Sequence, residues 1–224
     1  MKPVSIALIL GATAISVVAL VTVRPSHSHG ETDTHRRVLL IEGLDRSGSY
    51  RQYLAGAVAS AGQMASQLDP NDRLVCYALD TQPTELFDNP PPESAEELTG
   101  IVVDKLRHLP PAKGTYPAKF WADVSAKAQD TPIPCAIALF SDGDNDATAA
   151  SETAIRSAAK SLACNKNVVF IAIFGVDPEN RSRLNAAFAC MGYDRFRLYG
   201  PQEANTDAIT ACLEQARNYS KEAR

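Results

Sequence analysis

Residues 38–49 read Val-Leu-Leu-Ile-Glu-Gly-Leu-Asp-Arg-Ser-Gly-Ser: an apolar run from Val38 to Leu44, broken by Glu42 and Gly43, that leads into Asp45, Ser47 and Ser49 on alternate positions. An apolar run of this length bounded by turn residues predicts a buried strand. A carboxylate and two hydroxyls just past its end raise two readings. Asp and Ser are common helix caps and turn formers. They are also hard oxygen donors for a cation. The rest of the chain decides between the two.

Downstream, strand-like and helix-like segments alternate. Tyr50 to Leu68 carries Leu54, Val58, Ala61, Met64, Ala65 and Leu68 at helical spacing, and Leu74 to Leu79 predicts a second strand. Thr84 to Phe87 reads as a short edge strand closed by Asn89 and Pro90-Pro91-Pro92. Ser94 with Glu97 forms a capping-box signature for a helix to about His108, ended by Pro110-Pro111. A helix from about Tyr116 to Gln129, the strand Cys135 to Phe140, a helix from about Ala150 to Ala163 and the strand Val168 to Phe174 follow. A helix around Arg183 to Met191, the strand Phe196 to Tyr199 and an amphipathic helix from Asp207 to Tyr219 close the chain. Strands joined by helical crossovers pair in parallel with helices on both faces, so the expected fold is an open, doubly wound, mostly parallel α/β sheet. Glu42 and Gly43 are expected to interrupt the first strand, with Gly43 permitting a bulge and Glu42 exposed or salt-bridged.

In such a sheet ligands bind beyond the carboxyl ends of the strands. Three segments are expected there: Asp45 to Ser49, then Gly114-Thr115 ahead of a helix, then Ser141-Asp142-Gly143-Asp144 after the strand ending at Phe140. Their donors are carboxylates and hydroxyls, with no thiol or imidazole, a set suited to Mg2+, Mn2+ or Ca2+ rather than zinc or copper. Taken singly, Asp45 and Thr115 fit as ordinary caps and Asp142-Gly143 as an ordinary turn; their joint occurrence favours the cation. An EF-hand-type loop beginning at Asp142 is excluded, because Ala147 stands where glycine is required and Thr153 where the closing Glu belongs.

On these residues the chain resembles the von Willebrand factor type A domain with its metal-ion-dependent adhesion site. That family carries Asp-x-Ser-x-Ser after the first strand, a Thr at the head of a later helix and an Asp after the fourth strand, matched here by Asp45, Ser47, Ser49, Thr115 and Asp142. The resemblance spans about Arg37 to Tyr219. It implies a Rossmann-like fold and a divalent cation, Mg2+ foremost, held by Ser47, Ser49 and Thr115 with Asp45 and Asp142 supplying negative charge. It further implies that an Asp or Glu of a protein partner fills the open coordination position. The competing expectations are a metal-dependent hydrolase acting on phosphate esters and a scaffold whose metal is purely structural. The hydrolase lacks a base, since none of the four histidines lies in the three segments.

The 224 residues, 45% apolar and 21% charged, have a globular composition, and a net charge of -4 without long like-charge runs argues against a nucleic-acid partner. Val4 to Val23 carries no charge. At about 1.5 Å per residue it spans roughly 30 Å, enough to cross a bilayer. An uncleaved anchor over residues 1–24 is expected in preference to a removed signal, whose hydrophobic stretch is normally shorter. Residues 25–36 read as a polar linker whose three histidines are a solvated spacer rather than a metal site, and residues 37–221 as the domain, placed outside the cytoplasm. The five cysteines show no close-spaced pair; with export, Cys135–Cys164 and Cys190–Cys212 are the expected disulfides.

Overall fold

The computed structural model describes residues 37–145, 149–201, 203 and 206–222. The expected membrane anchor and linker lie outside these residues; among the described residues no helix is long and apolar enough to cross a membrane. Six strands form one sheet in the order β3-β2-β1-β4-β5-β6. They are β1 (Leu39–Asp45), β2 (Arg73–Leu79), β3 (Thr84–Asn89), β4 (Cys135–Phe140), β5 (Val168–Phe174) and β6 (Phe196–Tyr199). All pair in parallel except β3, an antiparallel edge strand beside β2. Three ion pairs secure that edge: Arg73 lies 2.7 Å from Asp88, and Lys127 bonds both Asp88 and Glu85.

The helices are α1 (Leu54–Ala65), α2 (Ala95–His108), α3 (Pro117–Gln129), α4 (Ala149–Cys164), α5 (Pro178–Ala187) and α6 (Thr206–Glu222), with a 3-10 turn at Ala189–Met191. Strand side chains alternate between faces, and the core divides accordingly. Leu40 and Leu44 of β1 join residues of α1, α2 and α6 in one cluster; Leu39 and Ile41 join residues of α3, α4 and α5 in the other. Half of the capping box at α2 is formed: Ser94 Oγ accepts from Glu97 N, while the Glu97 carboxylate reaches one residue beyond the N-cap and accepts from Glu93 N.

Two expectations about β1 are corrected. The strand runs unbroken in register with both β2 and β4, so there is no bulge at Gly43. Glycine is needed there because Phe120 of α3 crosses the backbone closely: a Cβ would lie 2.7 Å from Phe120 Cζ and 2.9 Å from Leu139 Cδ1. Glu42 is neither exposed nor salt-bridged. It is fully buried, on the same face as Leu40 and Leu44, and neither carboxyl oxygen has a hydrogen-bond partner among the described residues. Burial pushes its pKa well above the usual carboxylate range.

Both expected disulfides are also overturned: all five cysteines are free. Cys212 is buried in the core beneath α1, α2 and α6, whereas Cys190 is exposed on the 3-10 turn whose Met191 packs into the opposite core. The sheet stands between them. Cys135 turns into the second core while Cys164 faces solvent.

Candidate metal centre

β1 and β4 are adjacent at the middle of the sheet, and from them the chain winds outward in opposite directions, to β2 and β3 on one side and to β5 and β6 on the other. Their carboxyl ends therefore frame the crevice in which doubly wound sheets bind ligands. Asp45 is the last residue of β1, and Ser141 and Asp142 directly follow β4.

Asp45 is the hub. It is fully buried and both carboxylate oxygens are engaged. One accepts from Ser47 N at 2.8 Å and from the Thr115 hydroxyl at 3.2 Å; the other accepts from the Ser141 hydroxyl at 2.6 Å. Burial raises its pKa, the bonds from Ser141 and Ser47 pull it back, and the nearby Asp142 charge adds to the rise. The bond to Ser47 N is an Asx turn. It swings the chain so that the Ser47 and Ser49 hydroxyls meet at 3.2 Å, with Ser47 buried and Ser49 exposed at the rim.

The simple capping reading fails on this geometry. α1 begins nine residues after Asp45, with Tyr53 at its N-cap and no side-chain cap bond. α3 has Tyr116 at its N-cap, likewise without a side-chain bond, so Thr115 serves Asp45 and not the helix.

Asp142 is buried beside Ser141; one of its carboxylate oxygens accepts from Asp144 N at 2.9 Å. Its backbone carbonyl is held by Asp177 N and by the Asn180 side chain. Beyond it, Arg183 of α5 donates to the Gly143 carbonyl and pairs with Glu152 at 2.6 Å. Glu152 also accepts from the Asn145 side chain. Burial alone would raise the Glu152 pKa, but the bonds from Asn145 and Arg183 outweigh it and hold it low. Ala147, which counted against the calcium-loop reading, lies outside the described residues.

The structure thus joins Asp45, Ser47, Ser49 and Thr115 through direct contacts and places Asp142 near enough for its charge to act on Asp45. Among the described residues no group of three or more His, Cys, Asp or Glu gathers to hold a metal. An ion here would rest on two carboxylates and three hydroxyls. That all-oxygen set fits a hard divalent cation and no softer one. The sequence places Ser141 at this sheet edge but does not mark it as a partner of Asp45, and it does not point to Arg183 and Glu152 behind the Asp142 loop. A hydroxyl just before Asp142 was visible, but its target lies 96 residues away.

No family model matches the sequence, and no curated protein matches it. Solved structures do. Manganese-loaded TRAP protein of Plasmodium vivax superposes with a TM-score of 0.58 at 16% identity, over 79% of this chain and 72% of that one. A von Willebrand factor type A structure from Catenulispora acidiphila gives 0.61 at 14% identity, over 81% of this chain and 43% of that one. VWA2, the ArnB paralog of Sulfolobus acidocaldarius, gives 0.53 at 18% identity, over 80% of this chain and 45% of that one. The chain spans less than half the length of the latter two. At these identities the likeness concerns the fold, and the chain has the von Willebrand factor type A fold.

Proposed function

We propose that this protein is a divalent-cation-dependent protein-binding module that captures an Asp or Glu side chain of a partner. The observation that carries the reading is the anchoring of Asp45. Ser47 N, Thr115 and Ser141, drawn from three distant parts of the chain, all bond one buried carboxylate, and this brings the Ser47, Ser49 and Thr115 hydroxyls around it. Such an arrangement costs desolvation. A cation at the cluster would offset that cost.

Ser47, Ser49 and Thr115 would hold the ion, with Asp45 and Asp142 balancing its charge. Mg2+ is the foremost candidate, with Mn2+ or Ca2+ as alternatives. A bound ion supplies a coordination position that an incoming carboxylate fills in place of water. The chain's own part is to keep the hydroxyls fixed and leave the Ser49 edge open to solvent. Tyr53 and Tyr116, both partly exposed and close in sequence to Ser49 and Thr115, offer apolar contact area of the kind enriched at protein interfaces. A likeness to a manganese-loaded structure supports the cation, and the shared fold supports a binding module over a hydrolase. A hydrolase would need a general base at the cluster, and His108 lies at the exposed end of α2. The charge-free run from Val4 to Val23 supports tethering to a membrane with the module outside the cytoplasm.

The test is capture of a partner by immobilised full-length chain in Mg2+. The reading predicts that the partner is released by chelator and is not captured by Asp142→Ala. Retention of the same partner in excess chelator would contradict it.

A further inference from the structure

The segment leading into Thr115 is pinned at three points, and all three pins come from two residues outside the proposed ligand set. Arg46, between Asp45 and Ser47, turns its largely buried side chain to Pro110, donating to its carbonyl at 2.7 Å. Asp80, just past β2, accepts from Lys113 N at 3.0 Å through its carboxylate and from Tyr116 N at 3.4 Å through its backbone carbonyl. The two side chains face each other at 3.9 Å, 11% and 14% exposed. Asp80 therefore grips the chain on either side of Gly114-Thr115. Gly114 takes a φ of 151°, which side-chain-bearing residues seldom adopt. Thr115 emerges from this bracket with its hydroxyl 3.2 Å from Asp45.

Pro110 and Pro111 explain why an external grip is needed. Proline has no N–H to donate, so the loop from Leu109 to Lys113 has fewer backbone bonds with which to fix itself. The nearest strand ends supply them instead. A threonine hydroxyl displaced by about 1 Å no longer serves a cation, so its placement depends on this outer contact.

We propose that Arg46 and Asp80 are positioning residues that set cation affinity by holding Thr115 at the centre. The proposal rests on the metal reading above. It assigns the Arg in Asp45-Arg46-Ser47 a role distinct from that of its neighbours: it binds the Thr115 loop and not the ion, and Asp80 neutralises its charge beside a site meant for a cation.

A double-mutant cycle read by Mn2+ titration of the full-length chain tests this. Asp80→Ala should weaken Mn2+ binding about 10-fold or more, the usual effect of losing an outer-shell partner. Asp80→Asn keeps an acceptor for Lys113 N and should restore most of that loss. In a Thr115→Ala background, Asp80→Ala should cost no further affinity, because the threonine it positions is already gone. A general structural role would instead give independent losses in the two backgrounds. Should Asp80→Ala fail to fold, Arg46→Met carries the same cycle. Undiminished Mn2+ affinity in Asp80→Ala, or additive losses with Thr115→Ala, would overturn the proposal while leaving the metal site standing. A wild-type chain that binds no Mn2+ would remove the metal reading and this proposal together.

Discussion

Glu42 is a buried carboxyl with no hydrogen-bond partner among the described residues, and proteins seldom keep such a group without a cost. It faces Cys76 of β2 and Cys212 of α6, whose thiols are pushed up first by burial and then by its charge; Lys105 acts on Cys76 in the opposite sense. Since its folded pKa lies above the ordinary value of 4.5, the folded state keeps a proton that the unfolded chain releases. Stability therefore falls as pH rises from about 4.5 until the folded carboxyl itself ionises, with a slope of up to about 1.4 kcal/mol per pH unit. Glu42→Met should raise stability at pH 7 by about 1–3 kcal/mol, the cost of a buried unpaired polar group. It should also flatten the pH dependence of the denaturation midpoint, leaving the contributions of Asp45 and Asp72, whose pKa values burial also raises. An unchanged pH slope in Glu42→Met would refute this account of the residue. Nothing in the sequence foretold the burial. A Glu inside an apolar run is ordinarily turned outward, and only the full coverage of β1 by helices on both faces denies it that exit.

At the scale of elements, β4 and β5 have the bounds that their apolar runs mark, since strands covered on both faces read as continuous hydrophobic segments. Helix starts were less legible. α5 begins at Pro178, five residues ahead of the expected start, because its first turns are polar and only Leu184 and Ala187 reach the core. α1 starts at Leu54, since Ser47 to Tyr53 are drawn into the turn beside Asp45 that forms part of the candidate site. The close crossing of β1 and α3 at Gly43 was equally hidden, being a contact between residues 77 positions apart. Phe120 packs edge-on against both Trp121 and Tyr77 and has little room to retreat. Gly43→Ala should therefore destabilise the fold by about 1–3 kcal/mol, seen as a lower denaturant midpoint at unchanged m-value. A midpoint equal to wild type would mean that Phe120 repacks freely.

For the molecule as a whole, the candidate site was legible where residue type carries chemistry and illegible where geometry does. Asp45, Ser47, Ser49, Thr115 and Asp142 stand out because hard oxygen donors recur at strand and helix edges. Arg46, Asp80, Ser141, Glu152 and Arg183 are ordinary polar residues until the sheet brings them together across 31 to 96 positions. An ion bound only by the folded state stabilises it by mass action, about 2.7 kcal/mol at a free concentration of 100 times the dissociation constant. Thermal unfolding in Mn2+ should thus shift upward, return with chelator, and be insensitive to Mn2+ in Asp142→Ala. The most direct measurement is the anomalous signal from a crystal grown in Mn2+. The account predicts one strong peak bounded by the hydroxyls of Ser47, Ser49 and Thr115, with Asp45 and Asp142 around it. A manganese-free cluster, or a peak only elsewhere on the molecule, would contradict it.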